Sequence, residues 1–474
     1  MKTRSIYILA VTALLAVLGW WSVRGHSDAS ADRAARASLF AADEIPLEQI
    51  DRIELTRSNE EPIAFVRTAT GWIQQSPFAH PADPASIREV IDVSAALQTT
   101  RAVDPASIDP AARAALGLTP PAATLKLAWP GGERSIELGR RTVAGRAWAH
   151  VIGRAEAASI DASLHAIAVD GDPRQWRSTH LYEPGPTDVG GIELRYGLAP
   201  SQRLTLARAA GKWRIESPVS TRADADAVRG YLEALARAQA DAFVTDSPND
   251  WSTFGLSAPE RSVRLYAANA AAVSTPAVTV GAIDVGVTAA EGAQERFGRI
   301  AERATVVQLG TKALAALFPP PAFFVDPRGS DVVQADVRAV TFTAFDPTGV
   351  SDAAAAAAPG AAPAPAFRLE RTLDGWNIIT PGSDPRPAST ERARKLLAQL
   401  CEARAPAVAF QRMPEALRIG EFTLFGAGGV QLARIRIAHE PDGQWAIDSD
   451  DGVLRVFPKG FDLAIDAAAY QVNR

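Results

Sequence analysis

Histidine and cysteine, the side chains that most often bind metals or act as nucleophiles, are few and scattered in this chain. The single cysteine is Cys401, and the six histidines are His26, His80, His150, His165, His180 and His439. No two histidines stand at the spacing of a helical metal site, and none pairs with Cys401 in a metal motif. A Gly-x-Ser-x-Gly nucleophile elbow and a phosphate-binding glycine loop are also missing from the sequence. We therefore predict no catalytic, cofactor-binding or metal-binding residues.

Acidic side chains cluster at three places, and local structure explains each of them. Asp448-Ser449-Asp450-Asp451-Gly452 is similar to a calcium loop, but its glycine comes one place early and Lys459 stands where a bidentate carboxylate is needed. We predict a turn with solvated acids there, and a second turn at Asp170-Gly171-Asp172-Pro173. Asp224 and Asp226 begin a predicted helix, where acids interact favourably with the helix dipole. Carboxylate pairs that form only on folding stay open as an alternative.

Cys401 ends a segment from Ala393 whose apolar residues have helical spacing. A single cysteine allows no intrachain disulfide, so the fold is not a disulfide scaffold. We predict that Cys401 is a small buried apolar residue rather than a nucleophile.

The elements that would position any site are repeated, and a tryptophan marks each repeat. The three segments read Gly71-Trp72-Ile73-Gln74-Gln75-Ser76-Pro77, Gly211-Lys212-Trp213-Arg214-Ile215-Glu216-Ser217-Pro218 and Gly375-Trp376-Asn377-Ile378-Ile379-Thr380-Pro381. A polar turn and a helix-like segment follow each one, and internal repetition of this kind fixes architecture before other signals do. A large ring there would lie over the sheet face where the helix docks. We interpret Trp72, Trp213 and Trp376 as structural markers of one domain used three times, rather than as ligand-stacking platforms.

A second marker is present in two of the three repeats. Gly117-Leu118 follows the first predicted helix and Gly255-Leu256 follows the second, and proline comes soon after each. The third repeat has no clear counterpart. It carries instead an insertion at 351–366, made almost wholly of alanine, proline and glycine, which predicts a flexible surface loop.

Each repeat reads as a mostly antiparallel sheet with one main helix, an α+β pattern. In the first repeat, Ile53 and Leu55 alternate with polar residues as in a half-buried strand, and Ala85–Leu97 has the apolar spacing of a helix. The second repeat follows the same order, with a helix predicted over Thr221–Leu235. The third has its helix from about Ser389 to Cys401.

Length and charge limit the organisation of the chain. At 474 residues it is too long for one ordinary core, and about three domains are expected. The net charge of -5 gives no broad basic field, so we predict no nucleic-acid partner. The predicted parts are a membrane anchor at 1–24, a linker at 25–48, and three α+β repeats at 49–180, 188–328 and 332–474.

The N-terminus has the pattern of a membrane anchor. Lys2 and Arg4 precede residues 6–23, an uncharged run that would span roughly 27 Å as a helix. Positive charge before the run predicts a single-pass protein of the cytoplasmic membrane, with its N-terminus inside and its bulk extracytoplasmic, or periplasmic. The alternative is a signal peptide cleaved after Ala29-Ser30-Ala31, although the apolar run is longer than such peptides usually have.

Together these motifs resemble the bacterial domain-of-unknown-function family DUF4340. The residues that carry the resemblance in the first repeat are Gly71-Trp72, Ser76-Pro77, Ala82-Asp83, Gly117-Leu118-Thr119-Pro120-Pro121 and Glu137-Leu138-Gly139. In the second repeat they are Lys212-Trp213, Ser217-Pro218, Ala223-Asp224 and Gly255-Leu256-Ser257-Ala258-Pro259. The resemblance implies an uncharacterised envelope protein, similar in setting to accessory components of gliding-motility-type ABC-2 export systems. It attaches no catalytic residues.

Three functions are therefore compared. The first is a non-enzymatic, membrane-anchored accessory protein that contacts an ABC transporter permease or auxiliary subunit. The second is an array of cell-wall- or carbohydrate-binding modules, in which the marker tryptophans are exposed stacking platforms. The third is an enzyme with an unrecognised carboxylate site, which would contain several carboxylates with raised pKa values in one cleft.

Overall fold

Three antiparallel sheets make up most of the regular structure in the computed structural model. The structure describes residues 37–41, 44–102, 110–142, 145–185, 188–268, 278–290, 292–300, 303–345, 366–440 and 442–472. The chain divides into two compact units, Met1–Thr179 and His180–Arg474. The first unit contains one sheet and the second contains two, so the predicted repeats at 188–328 and 332–474 lie in one compact unit.

The first sheet has ten strands. They are β1 (Ala37–Ser38), β2 (Arg52–Arg57), β3 (Ile63–Thr68), β4 (Gly71–Ser76), β5 (His80–Pro81), β6 (Gln98–Ala102), β7 (Ala123–Trp129), β8 (Gly132–Thr142), β9 (Arg146–Val151) and β10 (Ala157–Asp161). Their order across the sheet is β1-β6-β10-β9-β8-β7-β2-β3-β4-β5. Beyond β9 the sheet continues with β10, β6 and β1.

The second and third sheets have nine strands each. The second contains β11 (Val189–Arg195), β12 (Arg203–Ala209), β13 (Lys212–Ser217), β14 (Thr221–Arg222), β15 (Ala242–Asp246), β16 (Arg261–Ala267), β17 (Thr279–Thr288), β18 (Arg296–Ile300) and β19 (Thr305–Leu309). The third contains β20 (Ala339–Ala344), β21 (Phe367–Arg371), β22 (Trp376–Ile379), β23 (Arg386–Ala388), β24 (Ala407–Ala409), β25 (Arg418–Phe425), β26 (Gln431–His439), β27 (Trp445–Asp448) and β28 (Leu454–Phe457). Their orders are β14-β13-β12-β11-β16-β17-β18-β19-β15 and β23-β22-β21-β20-β25-β26-β27-β28-β24.

All three sheets follow one path. Four strands run from the centre of the sheet to one edge, a helix leads to a strand near or at the opposite edge, and four more strands run outward from the centre to meet that strand. The prediction of three α+β repeats, each built on a mostly antiparallel sheet, is confirmed at this level.

The α-helices are short. They are α1 (Pro84–Ala95), α2 (Pro110–Ala115), α3 (Ser163–His165, continued as a π-helix over Ala166–Asp170), α4 (Ala225–Arg237), α5 (Thr311–Leu317) and α6 (Thr390–Cys401). We call α1, α4 and α6 the main helices. The expectation that helix begins at Thr221 is wrong, because Thr221 and Arg222 pair with β13 as strand β14 and the helix starts after Asp224.

A side chain caps the N-terminus of each main helix. The Asp83 carboxylate accepts from the Ser86 amide at 2.9 Å, and the Asp224 carboxylate accepts from the Asp226 amide at 3.0 Å. The Ser389 hydroxyl accepts from the Arg392 amide at 3.3 Å. These contacts satisfy backbone donors that have no partner within the helix, so the capping residue fixes where each helix begins.

The end of each repeat returns to the start of its main helix. A 3₁₀ turn, at Pro173–Trp176, Pro321–Phe324 or Ala467–Tyr470, carries a buried aromatic residue at its last position. The carbonyl of that aromatic accepts from the capping residue's amide at 2.8 Å in all three repeats. We call these turns the return segments. Sequence reading missed them because the aromatic is a different residue each time.

The membrane prediction rests on residues 6–23, which lie outside the described residues, as do residues 351–365 of the predicted loop. Along the ranges given above, no helix combines the length and apolarity that crossing a bilayer requires.

Candidate functional site

The marker tryptophans lie beside the main helices, each on the strand second from the edge of its sheet, and none is exposed. Trp72 and Trp213 are half-buried and pack against the cores of the first and second repeats. Trp376 is 5% exposed and belongs to the core of the third repeat. A flat, solvent-exposed ring suited to stacking on a sugar is therefore not found at any of the three positions.

An arginine stands directly across from each marker tryptophan on the neighbouring strand. The pairs are Arg67 with Trp72, Arg208 with Trp213, and Arg371 with Trp376. Residues directly opposite in an antiparallel pair are close enough for their side chains to interact. The sequence gives no direct sign of these pairs, because the strand register is set by the whole hairpin.

A second arginine repeats on the main helices, five residues after each capping residue. These residues are Arg88, Arg229 and Arg394. All three side chains are exposed. Each repeat thus places two arginines, one from a strand and one from a helix, near its marker tryptophan. This regularity was visible in the sequence only once the capping residues were known.

Grooves lie at these places in the second and third repeats. A cavity of about 380 Å³ is lined by both Arg371 and Arg394, together with Trp376, and Asp374 also contributes to its wall. The corresponding cavity of the second repeat is about 500 Å³ and is lined by Arg208, Trp213, Arg229, Tyr182, Asp188 and Glu233, with several apolar residues. Both volumes lie in the range of small-ligand sites.

The glycine–leucine markers have a structural role beside a different part of the sheet. Gly117 has φ +73° and Gly255 has φ +66°, a conformation in which a side chain is strained. An added Cβ would lie 2.8 Å from the Arg140 amide nitrogen in the first case and 2.8 Å from that of Val287 in the second. Leu118 and Leu256 are buried. The third repeat continues from its turn Glu415–Leu417 into β25 without a left-handed residue, because Arg418 has φ -70°.

A cluster of buried charged groups joins the second and third sheets within the second unit. The buried Asp326 carboxylate accepts from Arg328 at 3.0 and 2.9 Å and lies 3.5 Å from Arg222. The Arg455 side chain is fully buried and binds both carboxylate oxygens of Asp451, at 3.1 and 2.8 Å. Its Nε donates to the Asp326 carbonyl at 2.9 Å.

The pKa shifts in this cluster are those of structural ion pairs. Burial acts to raise the pKa of Asp326, but the hydrogen bonds from Arg328 and the charge of Arg222 outweigh it, and the pKa lies below its usual value. Burial likewise acts on Asp451, and hydrogen bonding and charge from Arg455 lower its pKa overall. Such carboxylates stay ionised, so they are poor general acids.

The segment Asp448–Gly452 belongs to this cluster, and the prediction that its acids are solvated is wrong for two of them. Asp448 is 2% exposed, and Asp451 is held by Arg455 and by the Thr221 hydroxyl. The reason is tertiary: Thr221 comes from strand β14 of the second repeat, which local sequence cannot reveal. Asp450 is more exposed and pairs with Arg436 at 2.7 Å.

The other candidate residues have structural surroundings. Cys401 is 2% exposed, and burial raises its pKa to about 12, so it is a buried thiol rather than a reactive thiolate. His165 is buried against the Gly139 carbonyl, and burial lowers its pKa. His150 lies 2.8 Å from Glu137. Among the residues that the structure describes, no three metal-binding side chains come together.

The architecture and these sites define a tandem-repeat α+β protein whose clearest surface features are arginine-lined grooves. The chain belongs to the DUF4340 family, whose description is "Domain of unknown function". The family model matches residues 72–214 and 213–418, so each match begins at a marker tryptophan. Comparison with curated proteins gave no match, and neither did comparison with solved structures.

Proposed function

We propose that this protein is a non-enzymatic, membrane-anchored accessory protein outside the cytoplasm, which binds another protein of the cell envelope. The observation that carries the proposal is the threefold repeat of one sheet with two arginines beside its marker tryptophan. A fold used three times, with exposed cations at equivalent places, supplies contact surfaces. The charged cluster around Asp326 and Asp451, by contrast, is paired internally.

The membrane location is supported by the sequence of residues 6–23 and the positive residues before it. The partner that we propose is a permease or auxiliary subunit of a gliding-motility-type ABC-2 export system. Its support is the resemblance in setting described above together with membership of the DUF4340 family.

Affinity purification of the full chain from gently solubilised membranes tests this proposal. We expect an ABC transporter permease to be recovered in an amount comparable to that of the protein. A sample from the soluble fraction serves as the control. Recovery of background proteins alone from the membrane fraction would contradict the proposal. A mature N-terminus near Asp32, found by mass spectrometry, would replace the anchor by a signal peptide.

A carbohydrate- or cell-wall-binding role is the second candidate, and one observation favours it. The groove of the second repeat has two aromatic residues in its wall, the buried Tyr182 and the half-buried Trp213, so a sugar would bind inside the groove rather than on an open ring. Aromatic rings and a few polar groups are typical of small-ligand sites. Retention of the protein on purified cell wall, lost in W213A, would select this function over the first.

A further inference from the structure

The first repeat contains an ion pair at the place of its two arginines. Glu48 lies in a 3₁₀ turn, Leu47–Gln49, just before strand β2. Its carboxylate accepts from Arg88 at 2.9 Å, and its carbonyl accepts from Arg67 at 2.9 Å. Hydrogen bonding to Glu48 raises the pKa of Arg88. One glutamate therefore contacts both the helix arginine and the strand arginine.

The third repeat has the same backbone frame with no acid at the middle of the turn, and its one acid, Asp336, is the last residue of that turn. A 3₁₀ turn, Gln334–Asp336, precedes strand β20 and contacts the main helix, as the turn of the first repeat does. The residue in the place of Glu48 is Ala335, and its carbonyl lies 3.4 Å from the Nη1 of Arg371. The backbone hydrogen bonds agree as well. The Arg67 amide donates to the Asp51 carbonyl at 2.8 Å, and the Arg371 amide donates to the Arg338 carbonyl at 2.8 Å. Each acceptor directly follows a buried apolar residue, Ile50 or Val337, after the turn.

The consequence is a difference in charge between the repeats. Neither Arg371 nor Arg394 pairs with a carboxylate within the described ranges, and the groove that both line has one carboxylate, Asp374. In the second repeat, Arg229 pairs with Asp226, and two further carboxylates line the groove. The groove of the third repeat, which we call the third groove, is thus lined by two arginines and one carboxylate. The groove of the second repeat is lined by two arginines and two carboxylates.

We propose that the third groove binds a carboxylate side chain from an acidic segment of a partner protein, between Arg371 and Arg394. The first repeat displays part of this contact within the chain: the Glu48 carboxylate binds the helix arginine, Arg88, whereas the strand arginine, Arg67, binds the Glu48 backbone carbonyl. Guanidinium groups match carboxylates in geometry and bind them by charge-assisted hydrogen bonds. This inference does not depend on the location or on the transport role proposed above.

Binding at this site is expected to be weak and dependent on salt. The proposed binding is based on the Arg88–Glu48 pair of the first repeat, whose side chains are 49% and 78% exposed. Exposed ion pairs contribute little each, and ions in solution screen them. Several adjacent acids in the partner segment would increase the occupancy of the groove by raising the local concentration of carboxylate.

The test uses the full chain in detergent and a fluorescein-labelled peptide of three Gly-Glu pairs, with a matched peptide of three Gly-Gln pairs. Fluorescence polarisation measures binding at low salt. We expect the glutamate peptide alone to bind, and A335E to weaken it about two- to fivefold, since the new carboxylate takes the place of the ligand as Glu48 does. A335Q has nearly the same shape without the charge and should bind normally.

Three further measurements make the result specific. R394A should weaken binding about two- to fivefold, D374N should strengthen it, and R229A, in the second repeat, should leave it unchanged. Equal effects of A335E and A335Q, or equal binding of the two peptides, would overturn the proposal. So would inorganic phosphate binding to the site while the glutamate peptide does not. Thermal unfolding of each variant shows whether it is folded.

Discussion

The Asp451–Arg455 pair allows a quantitative test of how the second unit is held together. The Arg455 guanidinium is fully buried, and both of its terminal nitrogens bind the Asp451 carboxylate. In D451N the charge that neutralises this guanidinium is removed, while its bonds to backbone carbonyls stay. Removing one partner of a buried pair costs about 3–5 kcal/mol. For a unit of this size the melting temperature should fall by roughly 5–8 °C.

The neighbouring substitution D450N is the matched control. Asp450 is 55% exposed and pairs with Arg436 at 2.7 Å, so its loss should cost less than about 1 kcal/mol. Both variants are measured by urea denaturation, followed by far-UV circular dichroism. The double variant D451N/R455M should lose less stability than the sum of the single variants, because the buried charge is gone. If D451N costs no more than D450N, the cluster does not stabilise the unit as argued.

Three other predictions follow from the same structure. The pKa values of Asp326 and Asp451 are lowered in the folded protein, so their ion pairs contribute fully to stability above the unfolded carboxylate pKa of about 3.9. This contribution is lost as the pH falls below that value. Urea denaturation from pH 7 to pH 3 measures the loss of stability, which should be smaller in D451N. G255A should destabilise the protein by about 1–3 kcal/mol, and by more than G211A does. An added Cβ would lie 2.7 Å from Val287 at position 255 but would have no atom within 4 Å at position 211. Chemical denaturation compares the two variants. Cys401 should not react with a thiol reagent at pH 8 in the native protein and should react quickly in urea, because burial raises its pKa to about 12; fast labelling of the native chain would contradict the assigned burial.

Local pattern was sufficient for the strands and helices that have one buried face. Ile53 and Leu55 alternate with polar residues and are both buried in β2, and helix α6 starts one residue after the predicted Ser389. The antiparallel α+β architecture could be predicted for the same reason, since the order of elements recurs three times.

Pairings between distant segments could not be predicted. Strand β6, Gln98–Ala102, lacks apolar alternation and forms because β10 and β1 lie on either side of it. The return segments use Trp176, Phe324 and Tyr470 in one role, so no single residue type marks them. The arginines of the grooves face the tryptophans through hairpin register, which the sequence does not display.

The central claim is that the third repeat contacts a partner through the open arginine groove, whereas Glu48 closes the equivalent place in the first. Site-specific photo-cross-linking tests it most directly. A photo-cross-linking amino acid is placed at Ala335 in one variant and at the exposed Gln49, beside the intact Glu48, in another, and both are irradiated in intact membranes. We predict a product from position 335 in which an acidic segment of an ABC transporter subunit is attached, identified by mass spectrometry, and little product from position 49. Equal products from the two positions, or none from position 335, would contradict the account.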